Sequence, residues 1–254
     1  MNLKSTTILA SALLAFTGLT AAYAADAISR AISAAVADAG RPAADTARDA
    51  DRKPSEVVAF AGIKPGDKVA DIFPGGGYFT RIFSTAVGAN GHVYGVVLAS
   101  MVAKNPKATD AMTALSADAA YKNVSLVVTP FEQMKGLENL DVAWTSDNYH
   151  DFHNAGFGPL DMTAYNKAVF NALKKGGIYI VIDHASAPGA GVSATESLHR
   201  MDPEAVKAEA QAVGFQFVGS SNVVAHPGDD HTGKIFDSGI RGKTDQFVLK
   251  FRKP

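Results

Sequence analysis

An α/β fold with a mostly parallel seven-stranded sheet and a C-terminal antiparallel hairpin is the architecture this sequence predicts. Three observations carry the prediction. Short apolar runs alternate with segments of helical spacing from Lys68 to Ile182, the pattern of a parallel sheet with helices on both faces. Two strand-like runs, Phe215–Val224 and Gln246–Phe251, close the chain without a helix between them, which suits an antiparallel pair at the sheet edge. Three consecutive glycines, Gly75 to Gly77, follow the first apolar run, at the kind of strand-to-helix turn where open sheets bind ligands.

The elements follow in order. Residues 25 to about 54 are alanine-rich and polar, with breaks at Arg41-Pro42 and Lys53-Pro54, and are expected to form one or two short helices leading into the core. Pro54 suits a helical first turn that runs through Glu56 to Ala61 and stops at Gly62. After the turn Lys64-Pro65-Gly66-Asp67, Lys68–Phe73 is expected as a buried strand. Tyr78–Val87 then has helical spacing, with Phe79, Ile82, Phe83 and Ala86 on one face. His92–Leu98 is a second strand, residues 108–120 a helix, Val124–Val128 a third strand and Leu140–Trp144 a fourth. Asp161 caps a helix expected to reach Lys175, with Met162, Tyr165, Val169 and Leu173 as its apolar stripe and Gly176-Gly177 as its stop. Ile178–Ile182 is a fully apolar fifth strand, and Asp202-Pro203 to Gly214 bounds the last helix.

The chain of 254 residues is 47% hydrophobic and 19% charged, with a net charge of −1, enough for one compact domain with a substantial core. It lacks the basic excess that nucleic-acid binding needs. The first 24 residues differ in kind. Lys4, a mostly apolar stretch from Ile8 to Leu19 and Ala22-Tyr23-Ala24 make a secretory signal peptide with cleavage before Ala25. Its apolar run is shorter than the ~20 residues that span a bilayer, so no stable membrane insertion is expected after cleavage. The sequence has no cysteine, which suits an oxidising compartment and excludes thiolate chemistry. The expected organisation is a signal peptide over 1–24, a helical extension over 25–54 and the α/β domain over 55–254, located in the periplasm or secreted.

The loop Asp71-Ile-Phe-Pro-Gly-Gly-Gly-Tyr-Phe-Thr80 fits two cofactor patterns incompletely. A dinucleotide fingerprint needs a glycine at position 80, which is Thr80. The alternative, an acid on the strand followed by glycines at alternate positions, has Asp71, Gly75 and Gly77 but Phe73 in place of its first glycine. Together with RDADRKPSEVVAFAGIKPGDKVADIFPGGGYFTRIF, the segments DNYHDFH, LKKGGIYIVIDHASAPGAG, LHRMD and RGKTDQFVLKFRKP carry a resemblance. From about Ala47 to Pro254 the chain resembles the exported branch of the class I S-adenosylmethionine-dependent methyltransferases, which have a Rossmann-like sheet. In that branch an aromatic residue before Pro-Gly-Gly-Gly is a recurring variant. The resemblance implies S-adenosylmethionine as cofactor, contacted by Asp71, Phe73, Gly75, Gly76, Gly77, Ser100, Glu132, Asp147 and Asn148. It also implies a small-molecule acceptor with an oxygen or nitrogen nucleophile. One departure stands out. The second strand ends Val97-Leu98-Ala99-Ser100, without the acid that usually grips the ribose hydroxyls.

A polar cluster follows the later strands. Asp147 to His153 comes after the fourth, Asp183-His184 ends the fifth, and His199-Arg200 precedes the last helix. Methyl transfer needs alignment of the acceptor and removal of a proton, and a histidine oriented by a carboxylate serves the second need. The catalytic candidates are Tyr149, His150, Asp151 and His184, with His150 as base beside Asp151 or Asp183. The same residues admit a divalent metal, through His150, His153, Asp183 and His184 or through Asp147, Asn148 and Asp183. A non-catalytic periplasmic binding protein on the same scaffold is the other alternative. Arg241-Gly242-Lys243-Thr244 fails as a phosphate loop, because Asp237 stands where the first glycine is required. The turn from His226 to His231 reads as a surface loop able to fold over the pocket.

Overall fold

A computed structural model describes residues 26–254; the expected signal segment lies outside them. Residues 26–36 are helical (α1). The order is then α2 (Ala43–Thr46), α3 (Asp49–Arg52), α4 (Pro54–Ala61), β1 (Lys68–Ile72), α5 (Tyr78–Val87), β2 (His92–Leu98), α6 (Ala99–Lys104), α7 (Asp110–Ala117), β3 (Val124–Thr129), β4 (Leu140–Ser146), α8 (Met162–Ala172), β5 (Leu173–His184), α9 (Thr195–Leu198), α10 (Pro203–Ala212), β6 (Gln216–Ser221) and β7 (Gln246–Arg252). The seven strands form one sheet in the order β3-β2-β1-β4-β5-β7-β6. Strands β1 to β5 are parallel, and β7 runs antiparallel between β5 and β6. The expected hairpin is therefore present, with its second strand inserted inside its first. The strand order reverses between β1 and β4, so the ends of these two strands open the crevice in which such sheets hold ligands.

Two apolar layers sandwich the sheet. On one face Phe79 and Phe83 of α5 pack against Trp144 of β4, at ring separations of 4.8 and 5.1 Å. On the other, Phe131, Tyr149, Phe152, Tyr165 and Tyr179 share a cluster with α8 and α10. Burial of each such aromatic ring contributes ~1.5–3 kcal/mol, so these layers fix the strands whose ends carry the polar cluster.

The expected bounds of α4, α5 and β2 hold. Gly62 takes the left-handed conformation that ends α4, at φ 82°. Asp161 and Asp202 cap α8 and α10 by accepting from the backbone N–H groups of Ala164 and Glu204. Three expectations change. The helix expected over 108–120 is confined to Asp110–Ala117. Asn105 accepts from the N–H of Lys107 and Asp118 from that of Ala120, and such local bonds hold short 3₁₀ turns at both ends in place of one helix. The helix expected to reach Lys175 stops at Ala172, because Leu173 is buried and pairs with Leu140 across a bulge. The strand then continues through Gly176, at φ 78°. Finally, the N-terminal segment holds three helical pieces, not one or two, and does more than lead in. Ile32 and Ala35 of α1 are buried in the same cluster as Val57, Phe79 and Trp144.

Candidate functional site

The turn after β1 keeps a glycine-like shape without its first glycine. Phe73 has φ 61°, the left-handed region that glycine occupies freely and other residues rarely enter. Such strain costs on the order of 1–3 kcal/mol. Two contacts offset it: the Phe73 ring packs edge-on against Phe157 and Phe131, at 5.4 and 6.5 Å, and its carbonyl accepts a 3.0 Å hydrogen bond from Asn148 Nδ2. Phe73 thus preserves the loop geometry that its side chain made doubtful.

The three glycines do different things. A Cβ on Gly75 or Gly76 would meet nothing within 4 Å, so both border open space. A Cβ on Gly77 would lie 2.7 Å from Met112 Cε and 3.0 Å from Leu115 Cδ2. Gly77, expected at the cofactor, instead lets α7 pack against the turn. Thr80, which breaks the dinucleotide fingerprint, donates its hydroxyl to Asp71 Oδ2 at 2.6 Å. Burial pushes the Asp71 carboxyl up to about 7, with the Thr80 donor pulling the other way.

Gly75, Gly76, Asp71, Phe73 and Asn148 line a cleft of about 170 Å³. It adjoins a larger cleft of about 300 Å³ that holds His150, Asp151 and His184. Arg48, Arg52 and Asp147 line both. Asp147, at φ 62°, donates its backbone N–H to the Ile182 carbonyl and accepts from Gln246 Nε2 at 2.8 Å. Its carboxylate pairs with Arg52. Burial favours the neutral acid there, yet the charges of Arg52 and Arg48 and the hydrogen bond from Gln246 hold the Asp147 carboxyl below its ordinary range.

Sequence reading missed the two arginines. They come from the N-terminal segment, which is clamped to the loop: Arg41 forks onto Asp49 at 2.7 and 2.8 Å, and Tyr78 donates to Asp49 at 2.6 Å. Arg81 ties Asp45 and the Gly76 carbonyl together, at 2.9 and 2.8 Å. Arg48 pairs with no carboxylate among the described residues, and burial, then the charge of Arg52, holds its pKa below the usual arginine value. The signal was legible in RDADR, whose two outer arginines stand four apart, one helical turn. Thr244, Gly242 and Arg241 of the failed phosphate loop also line the larger cleft.

The polar cluster sorts itself sharply. Tyr149, a catalytic candidate, does not reach either cleft: it is fully buried, donating to Glu209 at 2.7 Å and accepting from Asn166 at 2.8 Å. His150 is gripped by Asp183, which accepts from its Nδ1 and its backbone N–H, each at 2.7 Å. Its Nε2 lies 3.2 Å from Asp151 Oδ1. Burial opposes a charge on this ring, but Asp183 and Asp151 outweigh it and raise the pKa to about 10. Two carboxylates on the ring favour its protonated form, which makes His150 a poorer acceptor for a substrate proton than His184. His184 is its opposite. Burial keeps its pKa below the ordinary value, its Nδ1 lies 2.8 Å from Thr244 Oγ1, and its Nε2 has no hydrogen-bond partner among the described residues. With Nδ1–H donated to Thr244, Nε2 carries the lone pair a base requires.

Other expected residues fall elsewhere. Ser100 is exposed on α6 and lines neither cleft, and Glu132 borders a separate cavity beside Met134 and Lys167. His153 lies 3.3 Å from Glu209, away from the other histidines. The loop expected to be able to fold over the pocket is fastened down: Asp229 pairs with buried Arg200 at 2.6 and 3.1 Å, and His231 lies 3.1 Å from Asp245.

No protein-family model and no curated protein sequence matches the chain. Solved structures do. A SAM-dependent methyltransferase from Aquifex aeolicus superposes with a TM-score of 0.58 over 79% of this chain and 89% of that one, at 16% identity. A putative sarcosine dimethylglycine methyltransferase from Galdieria sulphuraria gives 0.55 over 80% and 85%, at 15% identity. The fold is that of the class I S-adenosylmethionine-dependent methyltransferases. The [4+2]-cyclase SpnF shares it as well, with a TM-score of 0.60 over 81% of this chain and 82% of that one, at 16% identity. The methyltransferase fold therefore describes the scaffold, and the chemistry must come from the two clefts.

The clefts fit the methyl donor at one end. The turn at Gly75 and Gly76 leaves room for close approach, and Arg48 offers positive charge to a carboxylate such as that of the donor's amino-acid part. The segment after β2 offers no carboxylate, since it reads Leu98-Ala99-Ser100, and Ser100 does not line the cleft.

Proposed function

We propose that this protein is an exported S-adenosylmethionine-dependent methyltransferase acting on a small oxygen or nitrogen nucleophile in the periplasm or outside the cell. The observation that carries the reading is the pair of clefts meeting at Asp147. One is floored by the open glycine turn, the other presents His184, whose Nε2 has no hydrogen-bond partner among the described residues. When bound, S-adenosylmethionine supplies an electrophilic methyl group on a positive sulfur. The chain's part is to hold an acceptor between His184 and that group and to take the acceptor's proton on His184 Nε2. Arg48, which lines both clefts and pairs with no carboxylate among the described residues, holds an anionic group of the ligand, while Arg52 stays on Asp147. Without a ribose carboxylate, donor affinity is expected about one to two decades weaker than with one, from the ~1.5–3 kcal/mol of a charged hydrogen bond.

Calorimetric titration with S-adenosylmethionine and its demethylated product tests this directly. Binding of both, lost in Gly75→Asp, is the expected result; no heat at high micromolar ligand refutes it. Export is tested by the mass of the protein recovered from a secreting host, which should begin at Ala25. The likeness to a cyclase, together with the missing ribose acid, favours a second reading: a relative on this scaffold that binds a small molecule and transfers no methyl group. Binding of the donor without turnover on any oxygen or nitrogen acceptor would support it.

A further inference from the structure

Two residues that line the larger cleft, His150 and Asp151, meet His199 in a cluster that methyl transfer does not require. His150 Nε2 and His199 Nδ1 lie 3.3 Å apart, and Asp151 Oδ1 lies 3.2 Å from the first and 3.3 Å from the second. These three donor atoms meet in a nearly equilateral triangle, and a cation that enters it displaces the proton from His150 Nε2. A tetrahedral ion with bonds of about 2.0–2.1 Å sets its neighbouring ligand atoms about 3.3 Å apart. The triangle has the size of one face of that polyhedron. We propose that His150, Asp151 and His199 hold one divalent transition-metal ion, zinc foremost, with a fourth position open to the cleft.

Three further features agree. Asp183 Oδ1 accepts from His150 Nδ1 at 2.7 Å, the carboxylate behind a ligating histidine that fixes the ring and points its other nitrogen at a metal. The two imidazole planes stand at 90° with centroids 5.3 Å apart, so their nitrogens approach the shared point from different directions. Phe236 packs against the His199 ring at 4.9 Å and helps fix its position. Asp151 and Asp183 bring two negative charges to the point, which a divalent cation balances. Two imidazoles and one carboxylate favour zinc or a neighbouring transition metal over magnesium or calcium. Three protein ligands with an open fourth position mark a site that binds water or an anionic oxygen of a small molecule, and not a closed structural site. The chain spacing is a His-Asp pair on the 3₁₀ turn after β4 and a histidine after α9. His153, one turn along from His150, has no part in it.

The test is independent of the methyl donor. Purified protein stripped with a chelator is titrated with zinc(II) and, as a spectroscopic probe, cobalt(II). One ion per chain and the visible bands of tetrahedral cobalt(II) are expected. His199→Ala, at a side chain only partly buried, should weaken binding by about 100-fold or more while circular dichroism and melting show a folded chain; Asp183→Asn should weaken it by about 10–100-fold. His153→Ala should leave it unchanged. Absence of the cobalt bands, or an affinity unaltered in His199→Ala, overturns the site. Weakening in His153→Ala equal to that in His199→Ala overturns the ligand assignment. None of these outcomes depends on whether S-adenosylmethionine binds.

Discussion

Gly75 and Gly77 have similar backbones but should respond unequally to alanine. Both sit at positive φ, 56° and 83°, so a Cβ costs each about 1–2 kcal/mol in backbone strain. At Gly75 little is added, because its Cβ would enter open space. At Gly77 it would fall 2.7 Å from Met112 Cε. A methionine methyl normally yields, yet here its retreat is blocked: Met112 is fully buried, and its sulfur already lies 2.5 Å from where a Cβ on Gly95 would sit. Leu115 Cδ2, at 3.0 Å, closes another side. Overpacking of this kind adds ~1–3 kcal/mol. Gly77→Ala should therefore lose about 2–5 kcal/mol of stability and Gly75→Ala about 1–2 kcal/mol. Urea unfolding at fixed pH reads the difference as a lower midpoint with an unchanged slope. Equal midpoints for the two variants would refute the division of labour between a packing glycine and a cleft glycine. So would a Gly77→Ala protein more stable than Gly75→Ala.

Asp71, raised to about 7 by burial, keeps a proton that the unfolded chain releases near pH 4. The stability tied to that proton is complete below pH ~4 and is lost as pH rises through about 7, a fall on the order of 4 kcal/mol. In Asp71→Asn, denaturant unfolding across this window should show a flatter profile; an unchanged slope would contradict a buried protonated carboxyl. Arg200 is fully buried on Asp229 and also donates to the carbonyls of Ala185 and Gly233. Arg200→Leu leaves Asp229 without its cation and should cost about 3–5 kcal/mol, read by thermal or urea melting. His184→Ala should lower the methyl-transfer rate by ~10²–10⁴ and leave donor affinity nearly unchanged by calorimetry. A variant as fast as the parent would remove His184 from the role of base.

The sheet was legible because its strands announce themselves locally. Ile178–Ile182 and His92–Leu98 are apolar on both faces, as strands covered by helices must be, and Asp161, Asp202 and Gly62 mark helix ends by bonds to their own neighbours. Where local signals conflict, tertiary contacts decided: Leu173 left its helix because pairing with Leu140 buries it. At the site, the sequence brought the right segments to one edge, since parallel strands end on the same side. It could not say which way each side chain faces. Tyr149 and His150 are adjacent, yet one is locked on Glu209 in the core and the other on Asp183 at the cleft. Nor did spacing reveal that Arg52 meets Asp147, 95 residues away, or that His199 joins His150 and Asp151. The sequence by itself determined the fold, the loop and the types of chemical group available, because periodicity, capping and glycine act over a few residues. Only the tertiary structure decided which groups are charged and which face open space, because burial and partners belong to the packed chain as a whole.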